Sequence, residues 1–174
     1  SLLLIGNEFT SAGALDSGAG VDLAAGNDVT LDVRLYSNVI HDVVQDNAGA
    51  AAGITLVLDD TVSARLRIAG NTIDGVGSNG IYVRDDLVAP GHVDIDVVGN
   101  VISHVLGSGI RIDPQNPGTA TVRAGWNAFY KTTGANGYGG GSAGPGVITG
   151  KDPRYVKPSA NDFRLQAGSP LIDA

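Results

Sequence analysis

Apolar and polar residues alternate in four short segments of the chain, each of which ends just before an asparagine. Counted back from that asparagine, the third and fifth positions are apolar in every segment, and the fourth and sixth are mostly charged. Such alternation predicts β-strands with one buried and one exposed face. The predicted inward residues are Leu35 and Val33, Ile68 and Leu66, Val97 and Ile95, and Ala124 and Val122.

The asparagine itself belongs to a short sequence motif that recurs at intervals of about 30 residues. This period is typical of solenoid repeats. An isoleucine or phenylalanine follows it two positions later in each case. A glycine then opens a third apolar segment, and we expect this glycine to permit a tight bend. The repeated asparagines are Asn7, Asn38, Asn71, Asn100 and Asn127, and the glycines are Gly20, Gly53, Gly80 and Gly109.

Three short strands per repeat and no helical periodicity predict an all-β, right-handed parallel β-helix of about five coils. We expect the asparagines to form a buried hydrogen-bonded ladder, although asparagine is also a generic turn residue. Residues 1–133 form the coils of a single domain in this interpretation. Residues 134–150 are a glycine-rich loop, and residues 151–174 are a capping segment that covers an open end of the helix.

Composition and charge exclude several functional classes. The formal net charge is −7 and the sequence pI is about 4.6, which argues against a nucleic-acid groove and against binding to anionic membranes. No apolar run is long enough to span a bilayer. Cysteine is absent, so neither disulfides nor thiolate metal sites are available.

The repeated coil motif, for example Gly70–Ile73 followed by Gly80–Val83, resembles the repeats of the pectate-lyase-like superfamily of right-handed β-helix proteins. The tail motifs at 152–156 and 162–174 are similar to the ending of secreted bacterial members. The superfamily includes polysaccharide lyases, glycoside hydrolases, epimerases, phage tailspikes and surface adhesins. The resemblance therefore implies a secreted or cell-surface protein whose partner is a polysaccharide or glycan surface, and it leaves the activity open.

Acidic residues at the ends of the third strands are the candidates for catalysis. Stacked coils would gather them into one patch beside arginine, and carboxylates with arginine suit acid/base work, uronate recognition or a bound Ca²⁺. The alternative is that they are solvated turn aspartates paired with strand arginines. The candidates are Asp85, Asp86, Asp113 and Arg111, with Asp59 and Asp60 in the same patch.

Two further groups of side chains could bind or react with a ligand. Tyr82 and Arg84, together with Trp126 and Tyr130, could form a small sugar-stacking surface, although Trp126 could instead be a packing residue. Near the asparagine corner, a histidine and an aspartate one coil apart could act as a general base beside a serine. The default interpretation of that second group is exposed corner residues. It comprises His41, Asp74, Ser103 and His104.

The function that this sequence favours is a β-helix scaffold that engages carbohydrate through an outward strand face. The alternatives are a polysaccharide lyase or glycoside hydrolase that acts on an acidic polysaccharide, and a purely structural or adhesive stalk. Ser1 to Asn7 enters directly on a strand with no capping helix before it. We therefore expect the N-terminal face to meet preceding β-helix coils or another partner.

Overall fold

The computed structural model describes residues 1–10, 18–44, 52–87, 91–114, 120–133, 138–139 and 144–172. These residues form short β-strands and one brief 3-10 turn at Pro158–Ala160, and none of them lies in a helix that could cross a membrane. The strands in chain order are β1 Leu2–Ile5, β2 Glu8–Thr10, β3 Val21–Ala25, β4 Thr30–Tyr36, β5 Val39–His41, β6 Ile54–Asp60, β7 Ser63–Ala69, β8 Thr72–Asp74, β9 Ile81–Leu87, β10 His92–Val98, β11 Val101–Ser103, β12 Ile110–Pro114, β13 Ala120–Gly125, β14 Ala128–Tyr130, β15 Tyr138–Gly139, β16 Ile148–Thr149, β17 Tyr155–Lys157 and β18 Asp162–Leu165.

Three parallel sheets run along the molecule, and each takes one strand from every coil. The first sheet has the order β1-β4-β7-β10-β13, the second β16-β14-β11-β8-β5-β2, and the third β15-β12-β9-β6-β3. Neighbours in a sheet are therefore one full turn apart in sequence. This arrangement confirms the predicted all-β parallel solenoid, which completes about four turns.

The core is built from the inward faces that the alternation predicted. Leu35, Ile68 and Val97 are at most 1% exposed and stack in successive coils of the first sheet. Val122 differs, because it is 43% exposed on β13. Among the described residues, that strand is the last of the first sheet, and none of them adds a strand beyond it there.

Charged side chains occupy the outward face of the first sheet, as the pattern predicted. Asp96 lies between two arginines, 3.1 Å from Arg123 and 3.9 Å from Arg67. Arg34 pairs with Asp32 on its own strand. Because these pairs are half exposed, they contribute little to stability, and we expect them to favour the observed register of the coils.

Each coil turns two corners through a residue in the left-handed conformation. One such residue immediately precedes each repeated asparagine, and its φ lies between 53° and 67°. A second follows four residues after the asparagine, with φ between 51° and 66°. The first set is Gly6, Ser37, Gly70, Gly99 and Trp126, and the second is Asp42, Gly75, His104 and Lys131.

The repeated asparagines are joined by hydrogen bonds from coil to coil. Asn71 Oδ1 accepts from both the backbone N and the Nδ2 of Asn38, each at 3.0 Å. Asn71 Nδ2 donates to Asn100 Oδ1 and to the carbonyl oxygen of Leu35, each at 2.9 Å. The same contacts link Asn7 to Asn38 and Asn100 to Asn127. Each side-chain oxygen thus receives its hydrogen bonds from the coil on its N-terminal side.

The glycines that open the third strands lie at bends, and close packing between coils also requires them. A Cβ on Gly80 would lie 2.5 Å from Ile102 Cγ2 and 2.6 Å from the carbonyl oxygen of Gly109. The same crowding occurs at Gly20 and Gly53, and none of these three has a positive φ. The expected bend is present at these glycines, and the absence of a Cβ also makes room for the isoleucine that follows the next asparagine.

The glycine-rich region adds strands to two of the sheets, where the sequence predicted only a loop. β15 pairs with β12 in the third sheet, and β16 pairs with β14 in the second. Pro145 O also accepts a hydrogen bond from Trp126 N at 2.7 Å. The described parts of this region therefore begin a further turn; residues 134–137 and 140–143 lie outside the described residues.

The C-terminal segment packs against a side of the solenoid. β17 and β18 pair antiparallel, and two of their aromatic side chains, Tyr155 and Phe163, are buried. Tyr155 contacts Ser103, and Phe163 contacts His41, so both meet the outward face of the second sheet. The segment was expected to cover an open end, but these contacts place it across the lateral face, where it covers several coils.

Candidate functional site

The outward face of the third sheet brings together most of the residues proposed for chemistry. Here "the third-sheet face" means Asp59, Tyr82, Arg84, Asp86, Arg111 and Asp113. The parallel register sets Arg111 beside Tyr82, Asp113 beside Arg84, and Asp86 beside Asp59. Side chains in adjacent coils of such a sheet are about 4.8 Å apart. The face is therefore a compact array of one aromatic ring, two guanidinium groups and three carboxylates.

Both arginines of this face are paired with carboxylates. Arg84 Nε lies 2.8 Å from Asp86 Oδ2, and its Nη2 lies 3.6 Å from Asp59 Oδ1. Arg111 donates to Asp113 Oδ2 through Nε at 2.8 Å, and its Nη2 lies 2.7 Å from the same oxygen. The hydrogen bond that Arg111 donates to the Asp113 carboxylate raises the pKa of the guanidinium. Pairing of this kind fixes the direction in which each guanidinium presents its remaining N–H groups.

Tyr82 lies beneath one of these guanidinium groups. The Arg111 Cζ is 5.5 Å from the centre of the Tyr82 ring, which is a cation–π contact. Burial, together with the nearby Asp113 carboxylate, raises the pKa of the Tyr82 phenol. The phenol therefore stays protonated at neutral pH and can donate as well as accept a hydrogen bond.

Asp85 does not belong to this face. It is fully buried, and its Oδ1 accepts a hydrogen bond from the backbone N of Leu87 at 3.1 Å. Its neighbours Arg84 and Asp86 point outward, so the alternation of the strand directs Asp85 inward. The candidate carboxylates are thus divided between the core and the surface. The alternation of inward and outward residues along β9 could have revealed this.

Trp126 and Tyr130 lie away from the third-sheet face. Trp126 is 58% exposed at the corner between the first and second sheets, where the backbone of Gly146 packs against its indole. Tyr130 is on β14 of the second sheet, with Lys131 Nζ 5.2 Å from its ring centre and the His104 ring edge-on at 5.4 Å. The two aromatics therefore do not extend a surface that contains Tyr82.

The serine, histidine and aspartate near the asparagine corner come together, but not as a catalytic triad. Ser103 Oγ donates to Asp74 Oδ1 at 2.5 Å, and His104 Nδ1 lies 2.8 Å from the same oxygen. Asp74 thus stands between them, whereas a nucleophilic serine needs the histidine as its immediate base. Ser103 is also fully buried and lies 3.0 Å from the Tyr155 hydroxyl. This cluster fastens the C-terminal segment to the second sheet.

Tyr155 is a part of this cluster that the sequence analysis missed. Burial raises the pKa of its phenol, despite the opposing hydrogen bond with Ser103. A neutral phenol over a buried serine and an aspartate satisfies polar groups that would otherwise lack water. No signal in the strand pattern links the tail to this face, because the contact joins residues far apart in sequence.

His41 occupies a second polar cluster beneath the same segment and was wrongly expected to be exposed. It is 2% exposed, and the ring of Phe163 lies 5.1 Å away. Its Nδ1 is 2.9 Å from Asp42 Oδ2, and its Nε2 is 2.9 Å from Glu8 Oε1. Burial lowers the pKa of this imidazole, but the two carboxylates outweigh burial and raise the pKa overall.

We expect this histidine to make stability depend on pH. A pKa raised above the unfolded value of about 6.5 means that the folded state holds the proton more tightly. The contribution is complete below about pH 6.5 and is lost as the pH rises through the folded pKa. Urea unfolding from pH 5 to 9 should therefore show that His41→Gln costs most at low pH. His92→Gln, at a half-exposed site, is the control; a cost for His41→Gln that does not change with pH would contradict this assignment.

Metal ligation receives no support from the described ranges. Within them, no group of three or more histidine, cysteine, aspartate or glutamate side chains is placed to hold a metal ion. The binding of Ca²⁺ therefore stays a prediction from the sequence.

The class of this protein is defined by its architecture, because the comparisons with known proteins identify no match. No protein-family model, curated protein or solved structure matches the chain. The parallel sheets, the repeated corners and the asparagine hydrogen bonds define it as a parallel β-solenoid.

Proposed function

We propose that this chain is a rigid β-helix scaffold of a secreted or cell-surface protein, and that it engages carbohydrate through the third-sheet face. The scaffold part rests on the parallel solenoid itself, whose regular coils hold outward side chains at fixed spacing. The proposed secreted or cell-surface location rests on the resemblance of the repeated coil motif and the tail to pectate-lyase-like β-helix proteins.

The observation that carries the proposal is the arrangement of Tyr82, Arg111 and Arg84 on adjacent strands. Sugars present apolar C–H faces and rings of hydroxyl groups, which suit an aromatic side chain flanked by charged hydrogen-bonding groups. The carboxylates of Asp86 and Asp113 hold the guanidinium groups in place and can accept hydrogen bonds from hydroxyls. The side chains are half-exposed, so a ligand can reach them.

Glycan binding by the full chain tests this proposal. On a glycan array followed by calorimetry, Tyr82→Ala should weaken binding about tenfold, because an aromatic contact contributes about 1.4 kcal/mol. Tyr36→Ala is the matched control, since Tyr36 lies on β4 in the first sheet, away from the proposed face. Equal losses for the two variants, or no glycan bound by the unmodified chain, would contradict the proposal.

The same experiment separates the scaffold from the enzyme alternative. If the chain only binds, no cleavage products of the bound glycans should appear after prolonged incubation. Cleavage that is lost in Asp86→Asn would replace the scaffold with a lyase or hydrolase whose reacting carboxylate lies on the same face.

A further inference from the structure

The third-sheet face is acidic, although it contains two arginines. It carries three carboxylates and two guanidinium groups, so its formal charge is −1. Asp22 adds a further exposed carboxylate, because it aligns with Thr55, which is the neighbour of Tyr82 in the preceding coil. The whole chain has a formal net charge of −7. An anionic ligand is therefore repelled both on its approach and at the face itself.

Both guanidinium groups are already engaged by carboxylates of the same face. The closest contacts of Arg84 are from Nε to Asp86 and from Nη2 to Asp59. Those of Arg111 are from Nε and Nη2 to Asp113. A carboxylate of a ligand would have to displace one of these partners to form a bidentate pair with an arginine. The remaining nitrogen of each guanidinium, Nη1, is left to meet a ligand.

Donors and acceptors alternate on this face, and that alternation suits hydroxyl groups. Asp59 makes its closest contact with Arg84 through Oδ1, and Asp86 through Oδ2, so each has a second carboxylate oxygen that this contact does not need. The Tyr82 phenol can donate as well as accept. A sugar hydroxyl does the same, whereas an ionised carboxylate or sulfate only accepts. A hydroxyl can therefore bridge an aspartate oxygen and an arginine N–H, which an anionic group cannot do.

We propose that the third-sheet face selects neutral glycans with free hydroxyl groups over uronate or sulfated glycans. This inference rests on the proposed function, namely that the face binds carbohydrate. The carboxylates hold Arg84 and Arg111 in place and accept from sugar hydroxyls, and the arginines donate through Nη1. The arginines therefore do not serve to neutralise a uronate, and the carboxylates beside them exclude acidic polysaccharides.

Matched pairs of oligosaccharides test this selectivity on the full chain. The β-1,4-linked tetramers of mannose and of mannuronate are one such pair, because they differ only in the carboxylate at C6. On the array and in calorimetry, the neutral member of each bound pair should bind at least about tenfold more tightly. Its affinity should change less than about twofold between about 50 and about 500 mM NaCl, because no ion pair with the ligand is available for salt to screen.

Asp86→Asn should move the two affinities in opposite directions. The substitution removes one negative charge and releases Nε of Arg84, so binding of the uronate should strengthen about fivefold. Binding of the neutral glycan should weaken, because an amide oxygen is a weaker acceptor than a carboxylate oxygen. Asp32→Asn is the matched control and should change neither affinity. Asp32 is also 33% exposed and paired with an arginine two residues away, but it lies in the first sheet.

Two results would overturn this inference and leave the carbohydrate proposal standing. The first is a uronate or sulfated glycan that binds as tightly as its neutral counterpart and shifts the Nε–H signals of Arg84 and Arg111. The second is an Asp86→Asn variant that changes both affinities in the same direction, since charge would then not set the preference. Binding of no glycan at all would instead contradict the proposed function, and the selectivity would fall with it.

Discussion

Replacing Asn71 with alanine should lower the free energy of unfolding by about 4 kcal/mol and the unfolding midpoint by about 10 °C. The backbone N and Nδ2 of Asn38 would lose their shared acceptor. The carbonyl oxygen of Leu35 and the Oδ1 of Asn100 would each lose a donor. Because all of these groups are buried, each one left unpaired costs about 1–3 kcal/mol. Urea and thermal unfolding monitored by circular dichroism measure the loss.

Asn7→Ala is the matched control for this substitution. Asn7 makes the same contacts toward its neighbour, but it is exposed, and water can replace the bonds that are lost. We expect a cost below about 1 kcal/mol there. Equal costs at the two positions would show that the hydrogen bonds between asparagines do not hold the coils together.

Gly80→Ala should destabilise the fold by about 3 kcal/mol, since the new methyl group has no room. It would meet Ile102 at 2.5 Å and the carbonyl oxygen of Gly109 at 2.6 Å, and that oxygen belongs to the next coil. The backbone of two stacked coils would have to separate to admit it. Denaturant unfolding of the purified variant measures this cost.

Gly6→Ala distinguishes this crowding from a purely conformational effect. Gly6 has a φ of +65°, and nothing lies within 4 Å of the position of an added Cβ. Its cost is therefore only the penalty of a left-handed alanine, about 1 kcal/mol. A larger loss at Gly6 than at Gly80 would show that turn conformation, rather than coil packing, explains the repeated glycines.

The repeat carried enough information to predict the architecture. Alternation before Asn38, Asn71 and Asn100 indicated which side chains face inward, because a strand has a period of two residues. The recurrence of the asparagine-containing motif about every 30 residues then indicated stacked coils. The end effects were not visible, since Val122 has the same pattern as its equivalents and differs in lying on the last described strand of the first sheet.

The candidate site was predicted less completely, because the alternation along β9 was overlooked and because some of its contacts join residues far apart in sequence. The alternation of β9 puts Tyr82, Arg84 and Asp86 on one face, but it also turns Asp85 inward, which the grouping of acidic residues overlooked. The burial of His41 and Ser103 depends on Phe163 and Tyr155. Contacts between a tail and a distant sheet face have no local signature, so the sequence favoured exposed corner residues.

The most direct test of the carbohydrate proposal is an NMR titration of the ¹⁵N-labelled full chain with the best-binding oligosaccharide. The largest shift changes should fall on β6, β9 and β12, and the Nε–H signals of Arg84 and Arg111 should move with the backbone signals. Changes centred on the first or second sheet, with the third-sheet face unmoved, would contradict the assignment of this face as the place where the scaffold meets carbohydrate.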